Sequence, residues 1–338
     1  MTTTIGFATR DCIVLGCDSL ATSVRLMVDP YKIARNFFDD AGNLLLENGA
    51  PVLKTAAQLH AFVQRVPRDQ LPNVTKLFEL DGAHAGVTFS GASVVGDYSV
   101  KNLVDSFNAS QFYRELIRGE YSIELIAKGF FNHVNAIYEK AYETVPADFR
   151  PFTEAVVSGY SSASLLPQIY RLNFSATPSC ESALQDKPYD IVFGGQYDII
   201  QRVVMGVDLQ SYLNLRDKSE RLLGRYRDKL QTFLAEQGHE VALPPPDMSD
   251  TSLQLFYGDF GGVSRLASDR ESLSEQAAIN FVEFLLDTMI WAQQFSGEIP
   301  TVGGEIHIAI ITKSGGFRWI SKEEYHFHGH SVLKHSNH

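Results

Sequence analysis

Three residues in the first quarter of the chain are of the types that build a hydroxyl nucleophile. Thr2 follows Met1 in the opening segment MTTTIGFATRDCIVLGCDSLATS, Asp18 stands near the end of that segment, and Lys76 opens the later stretch KLFELDGAHAGVTFSG. A hydroxyl attacks a carbonyl only when a base takes its proton, and a free α-amine, with a reference pKa of about 8, holds a useful neutral fraction near pH 7. An N-terminal threonine carries both groups on one residue. A buried lysine beside the amine favours its neutral form and so poises the hydroxyl, while a carboxylate keeps such a lysine charged and oriented. The chemistry requires removal of Met1, the usual fate of a methionine ahead of a small residue. With Met1 retained, Thr2 to Thr4 are β-prone residues heading a strand, and Asp18 is a turn residue with Ser19 as its local hydrogen-bonding companion.

These residues need elements to bring them together. Residues 3–9 read as a strand and 12–17 as a second, with Arg10 and Asp11 at a tight turn between them, so the chain opens on a hairpin. From about 24 to 75 the pattern loosens into turn signals around 41–43 and a helical pattern over 55–66, which together read as an insertion. KLFELDGAHAGVTFSG gives two short strands about the Asp81-Gly82 turn. Apolar residues at three- and four-residue spacing predict helices over about 94–118 and 122–142. Strands return in TEAVVSGYS, PQIYRLNFSA and YDIVFGG. A charged helical stretch over 212–239, ended by Pro244-Pro245-Pro246, reads as a second insertion at about 208–270. A helix over 272–295 and the strands GGEIHIAIIT and FRWIS close the chain. Strands and helices come in runs rather than alternating singly, which argues against a doubly wound parallel sheet and for two stacked antiparallel sheets with helices outside them.

Composition narrows the function classes. The 338 residues are 44% hydrophobic and 20% charged, in the range of globular proteins and outside that of disordered or collagen-like chains. A net charge of −11 argues against nucleic acid or an anionic membrane surface as the main partner. Cys12, Cys17 and Cys180 are an odd, sparse set that fits a reducing compartment, with Cys17 read as a small buried hydrophobe. The start of the chain has no secretory pattern and no apolar run spans a bilayer, so the expectation is a soluble cytoplasmic protein.

The opening segment resembles the start of a mature proteasome β-subunit, from the family of N-terminal-nucleophile hydrolases that includes HslV and the Anbu proteins. In that family an aspartate follows the N-terminal threonine by sixteen positions, as Asp18 follows Thr2. The family's catalytic lysine begins a strand that leads through a turn and a second strand to a glycine, and KLFELDGAHAGVTFSG is similar. The resemblance therefore implies Lys76 in the lysine role and the Gly91 backbone N–H as oxyanion donor. Lys32, in DPYKIA, is nearer the usual sequence distance but lacks the strand–turn–strand, and Lys76 is preferred. FTEAVVSGYSSASLLPQIYRLN, IVFGGQYDIIQRVVMG and IPTVGGEIHIAIITKSGGFRWIS resemble the family's central hairpin, return segment and closing strands.

The resemblance implies a single domain over residues 2–338 with the two insertions, an α+β fold of four layers (αββα) and two antiparallel sheets, and threonine-type endopeptidase activity without cofactor or metal. It also implies a homo-oligomeric ring whose sites face a cavity and peptide or unfolded protein as substrate, and leaves any unfoldase partner unidentified. Phe89, two residues before Gly91, stands where the family floors its substrate side-chain pocket and implies a small side chain before the scissile bond. Three positions depart from the family. Gly194 replaces a serine in the return segment, and Ile299 and Val302 replace an aspartate and a serine before the closing glycines, leaving Ser90, Ser158 and Ser161 as candidates to support the amine. Rival expectations are a non-catalytic ring subunit and an amidase acting on a small non-peptide amide. In the tail, His326, His328 and His330 share one face of a strand if extended, a pattern able to bind a transition metal, against the simpler expectation of a solvated terminus. The charged stretch from Arg216 to Lys229 reads as an exposed amphipathic face.

Overall fold

A computed structural model describes residues 2–39, 41–52, 63–184, 188–206, 208–239, 241–245, 269–297, 299–322, 326–327 and 330–331. Its strands of three or more residues are β1 Thr3–Ala8, β2 Ile13–Asp18, β3 Ala21–Val28, β4 Val63–Leu71, β5 Leu77–Glu79, β6 Ala85–Gly91, β7 Thr153–Gly159, β8 Gln168–Phe174, β9 Ser179–Ser182, β10 Ile191–Gly195, β11 Ile306–Thr312 and β12 Gly316–Ser321. The helices are α1 Pro30–Arg35, α2 Val100–Asn108, α3 Gln111–Leu116, α4 Ile123–Ala141, α5 Asp198–Met205, α6 Leu209–Glu236 and α7 Glu275–Gln294. The chain forms two compact units, Met1–Gln196 with Ser274–His338, and Tyr197–Leu273.

The larger unit is α+β, built on two five-stranded antiparallel sheets in the orders β10-β1-β2-β11-β12 and β9-β8-β7-β6-β5. Alternation along the strands explains how they pack, because successive side chains leave opposite faces. Ile13, Leu15 and Cys17 of β2 meet Val156 of β7 and Ile169 of β8 in one buried cluster, which fixes the two sheets face to face. The intervening residues Ala155 and Val157 turn the other way and bury with Phe107, Phe130, Val134 and Tyr138 of the helices. On the opposite side α7 packs on β1, β2 and β11, burying Val282, Leu285, Leu286 and Met289.

Several elements differ from the sequence expectation. The helical pattern expected over 94–118 is a short antiparallel ladder, Val94–Val95 with Tyr98–Ser99, followed by two helices, since the Ser110 hydroxyl accepts from Tyr113 N at 3.2 Å and starts a new helix. Residues 63–66, expected at the end of a helix, belong to β4, where pairing with β3 overrides local periodicity; residues 53–62 lie outside those described. The turn around 41–43 is present, closed by Asp39 N donating to Asn43 O at 2.9 Å. The strand β9 had no signal beyond a short polar run.

The smaller unit contains α5 and α6, the latter capped by Asp208, which accepts from Ser211 N at 2.9 Å. The 216–229 stretch lies on α6, whose Leu222 and Tyr226 are exposed beside the charges. His326 and His330 fall in a two-stranded ladder, but their side chains and His328 lie outside the described residues. Among the described residues no helix is long and apolar enough to cross a membrane, and no cluster of ligating side chains able to hold a metal is found.

Candidate active site

The sixteen-residue separation of Thr2 and Asp18 is the length of the β1–β2 hairpin. Thr4 pairs with Cys17, so the next residues outward, Thr3 and Asp18, meet where the two strands end. Asp18 is fully buried. Its Oδ1 accepts from Thr2 Oγ1 at 2.8 Å and from Thr3 N at 2.9 Å. Its Oδ2 accepts from Leu20 N at 3.2 Å and Gly303 N at 3.1 Å. A buried carboxylate is costly unless its lone pairs are met, and here main-chain donors from three segments meet them.

Lys76 comes from the other sheet, at the residue before β5, and is 4% exposed. Its Nζ donates to Thr2 Oγ1, to Asp18 Oδ1 at 3.1 Å and to Leu20 O at 2.5 Å. The ammonium group has three donors, and each has an acceptor. Its position is set by the sheet, since Lys76 O accepts from Phe89 N at 2.8 Å. Lys32, by contrast, is exposed on α1. The structure thus brings Thr2, Asp18 and Lys76 into mutual contact and leaves Lys32 outside.

Thr2 and Lys76 line a cleft of about 660 Å³ together with Gly91, Phe89, Ser90 and Gln196. Ala21 to Ser23 also line it, and Val94, Val100, Phe149 and Phe152 supply apolar surface. Gly91 has φ +86°, and a Cβ there would lie 2.4 Å from Phe152 O, so only glycine lets the strand turn here. Phe89 is 2% exposed and is wedged edge-on against Phe78 and Phe130, with ring centroids 6.1 and 6.0 Å away.

Two further titratable groups, Cys17 and His307, lie nearby. Burial pushes the Cys17 thiol up to about 12 despite the attraction of Lys76, so the thiol stays protonated near neutral pH. His307, paired with Cys17 on β11, is buried, and its pKa lies below the usual histidine value because burial and the charges of Lys322 and Lys76 disfavour the imidazolium.

At the departing positions, Gly194 carries no side chain, Val302 is buried and apolar, and Ile299 is 46% exposed. Of the candidate serines, Ser90 lies at the cleft. Ser158 pairs with Gly86 whereas Ser90 pairs with Glu154, a difference of four residues along the strand or about 13 Å. Ser161 binds Ile123 N instead, at 2.9 Å.

Other residues surround Thr2 that sequence reasoning did not single out. Gln196 N donates to Thr2 O at 2.7 Å, Thr3 Oγ1 donates to Gln196 O at 2.5 Å, and Thr301 Oγ1 donates to Gln196 Oε1. Glu154, 8% exposed, accepts from Ser90 Oγ at 3.0 Å and Gly195 N at 3.2 Å and pairs with Arg171 Nε at 3.1 Å. The available signal was a lone glutamate in the otherwise apolar TEAVV and an arginine inside QIYRLNF, each at a strand-interior position. No protein-family model matches the chain, and comparison with curated proteins finds no match.

Proposed function

We propose that the chain, once Met1 is removed, hydrolyses amide bonds with Thr2 as an N-terminal nucleophile, as a threonine-type peptidase with the αββα fold of that class. The observation that carries the reading is the hydrogen-bonded set Thr2 Oγ1, Lys76 Nζ and Asp18 Oδ1 at the wall of an open cleft. Four residues would hold the roles. Thr2 Oγ1 attacks the scissile carbonyl carbon while the Thr2 amine takes its proton, and the carbonyl π-electrons move onto the oxygen beside the Gly91 N–H. One such donor is worth about 3 kcal/mol to the transition state. The intermediate collapses by breaking the C–N bond, with the proton passing from the ammonium to the leaving amine. Water then attacks the resulting ester, the Thr2 amine again taking and returning the proton, which frees the acid and restores Thr2. Lys76 holds the Thr2 hydroxyl and Asp18 holds Lys76, with no cofactor in the sequence of steps.

The substrate in this reading is a peptide or unfolded protein, with the chains assembled as a homo-oligomeric ring in the cytoplasm. The competing reading is a non-catalytic ring subunit, favoured by Gly194, Ile299 and Val302, which supply no hydroxyl or carboxylate. Intact mass before and after a peptide epoxyketone separates the two, because that warhead needs both a free amine and a hydroxyl on one residue. A chain beginning at Thr2 that gains one inhibitor supports the nucleophile. A chain beginning at Thr2 that gains none removes it and leaves the scaffold.

Phe89 sets a second expectation, that small side chains are preferred before the scissile bond. Phe89→Ala should raise kcat/KM for phenylalanyl over alanyl substrates by about tenfold, at a stability cost of about 3 to 5 kcal/mol from the lost aromatic packing. A peptide series in which the wild type already prefers large aromatic residues would overturn the expectation.

A further inference from the structure

The set Thr2, Lys76 and Asp18 leaves unused a second polar cluster behind the nucleophile. It lies where the layer between the sheets stops being apolar. Along β7 the residues facing the first sheet are Ser158, Val156 and then Glu154, and along β6 the matching end is Ser90, directly opposite Glu154. Arg171 reaches the Glu154 carboxylate from β8 and also donates from Nη2 to Phe193 O at 2.8 Å. The ion pair therefore belongs to the second sheet, while its outer contacts hold an edge strand of the first.

That edge strand is β10, which pairs with β1 through Thr3↔Gly195 and Thr4↔Gly194. Neither glycine has a side chain to anchor it. A Cβ on Gly194 would meet Thr4 Oγ1 at 2.5 Å, Glu154 Oε2 at 3.1 Å and Ser90 Oγ at 3.3 Å, so the space is taken up by the carboxylate and the hydroxyl. Gly195, at φ +73°, would bring a Cβ within 2.0 Å of Thr2 O. The Gly195 amide donates to Glu154, and the next amide, Gln196 N, donates to Thr2 O. Each step from Arg171 to Thr2 is an ion pair, a hydrogen bond or one peptide unit.

We infer that Glu154 is a positioning residue for Thr2: held by Arg171, it fixes Ser90 and the Gly195–Gln196 main chain against which the nucleophile is set. The inference rests on the nucleophile reading of Thr2. The Glu154 side chain is 10% exposed but that of Arg171 44%, so the ion pair is partly solvated and adds little stability of its own; what the carboxylate does is fix the register in which it meets Ser90 Oγ and the Gly195 amide. Here the register is that of the strand beside the nucleophile. Loss of the carboxylate shifts the Thr2 main chain without touching substrate, so it affects the chemical step and leaves binding in the cleft intact.

The test compares Glu154→Gln and Ser90→Ala with the wild type in two readouts. The first is peptide epoxyketone inactivation, resolved into its limiting rate and its half-saturating concentration. The limiting rate should fall on the order of tenfold or more in both variants, as for a small misplacement of a reacting group, with half-saturation changed by less than about twofold. The second readout is amide hydrogen exchange in peptides covering residues 191–197, which needs no activity, and the Gln196 amide should exchange about tenfold faster in Glu154→Gln. Unchanged limiting rates with unchanged exchange overturn the inference, as does a change confined to half-saturation. If wild-type protein beginning at Thr2 takes no inhibitor, the nucleophile reading fails on its own, and unchanged exchange in Glu154→Gln would separately refute the positioning of the Thr2 main chain.

Discussion

Thr2→Ala protein should retain its fold and lose inhibitor capture and peptide hydrolysis altogether, a fall of about ten-thousand-fold or more in kcat if the nucleophile is this hydroxyl. The fold should survive because the hydroxyl is an intermediate member of its hydrogen-bonded set. Without it, Lys76 still reaches Asp18 Oδ1 and Leu20 O, and Asp18 still accepts from Thr3, Leu20 and Gly303. The stability cost is then that of an ordinary buried hydrogen bond, about 1 kcal/mol. Thr2→Ser restores a hydroxyl at the same place and should recover turnover. Urea unfolding alongside intact-mass labelling checks both halves. A Thr2→Ala protein that hydrolyses as well as the wild type would remove Thr2 from the chemistry, and one that fails to fold would give its hydroxyl a structural role.

Lys76→Met should produce the largest loss of stability among single substitutions within the set Thr2, Lys76 and Asp18. The Asp18 side chain is fully buried and the Lys76 side chain 5% exposed, so removal of either partner leaves the other without its counter-charge. Breaking a buried pair in this way costs about 3 to 5 kcal/mol. The main-chain amides on Asp18 place Lys76→Met at the lower end, and Asp18→Asn, which keeps much of the shape, should cost no more. The Lys76→Met/Asp18→Asn double variant should be distinctly more stable than the sum of the two losses, because no uncompensated charge remains. Denaturant midpoints with slopes held constant measure all three. Additivity within about 0.5 kcal/mol would mean that the two side chains do not stabilise each other.

Much of the architecture was legible because its determinants are local. Runs of β-favouring residues between turn signals marked β1, β2, β6, β7, β8 and β11, and the Asp81-Gly82 turn marked the step from β5 to β6. Errors arose where a tertiary partner outweighed local pattern. Residues 63–66 look helical in isolation and are held extended by β3. The pattern over 94–118 is continuous in hydrophobicity, yet one serine hydroxyl divides it. Within the site, Thr2 and Asp18 were legible as a pair because a hairpin relates them, and a hairpin is a local object.

By itself, then, the sequence determined the strands of the two five-stranded sheets apart from β9, the order of strand and helix runs, and the meeting of Thr2 with Asp18. Only the tertiary structure decided which lysine joins them. It places Lys76 there, across the layer between the two sheets, and leaves Lys32 on an exposed helix. It also decided what stands behind Thr2, through contacts that link Ser90 to Glu154 across 64 positions and Gln196 to Thr301 across 105. Such contacts depend on how two sheets stack and where their edges end. A spacing pattern along one strand carries no record of that, because its period specifies which face a residue occupies and not what the opposing sheet presents to it.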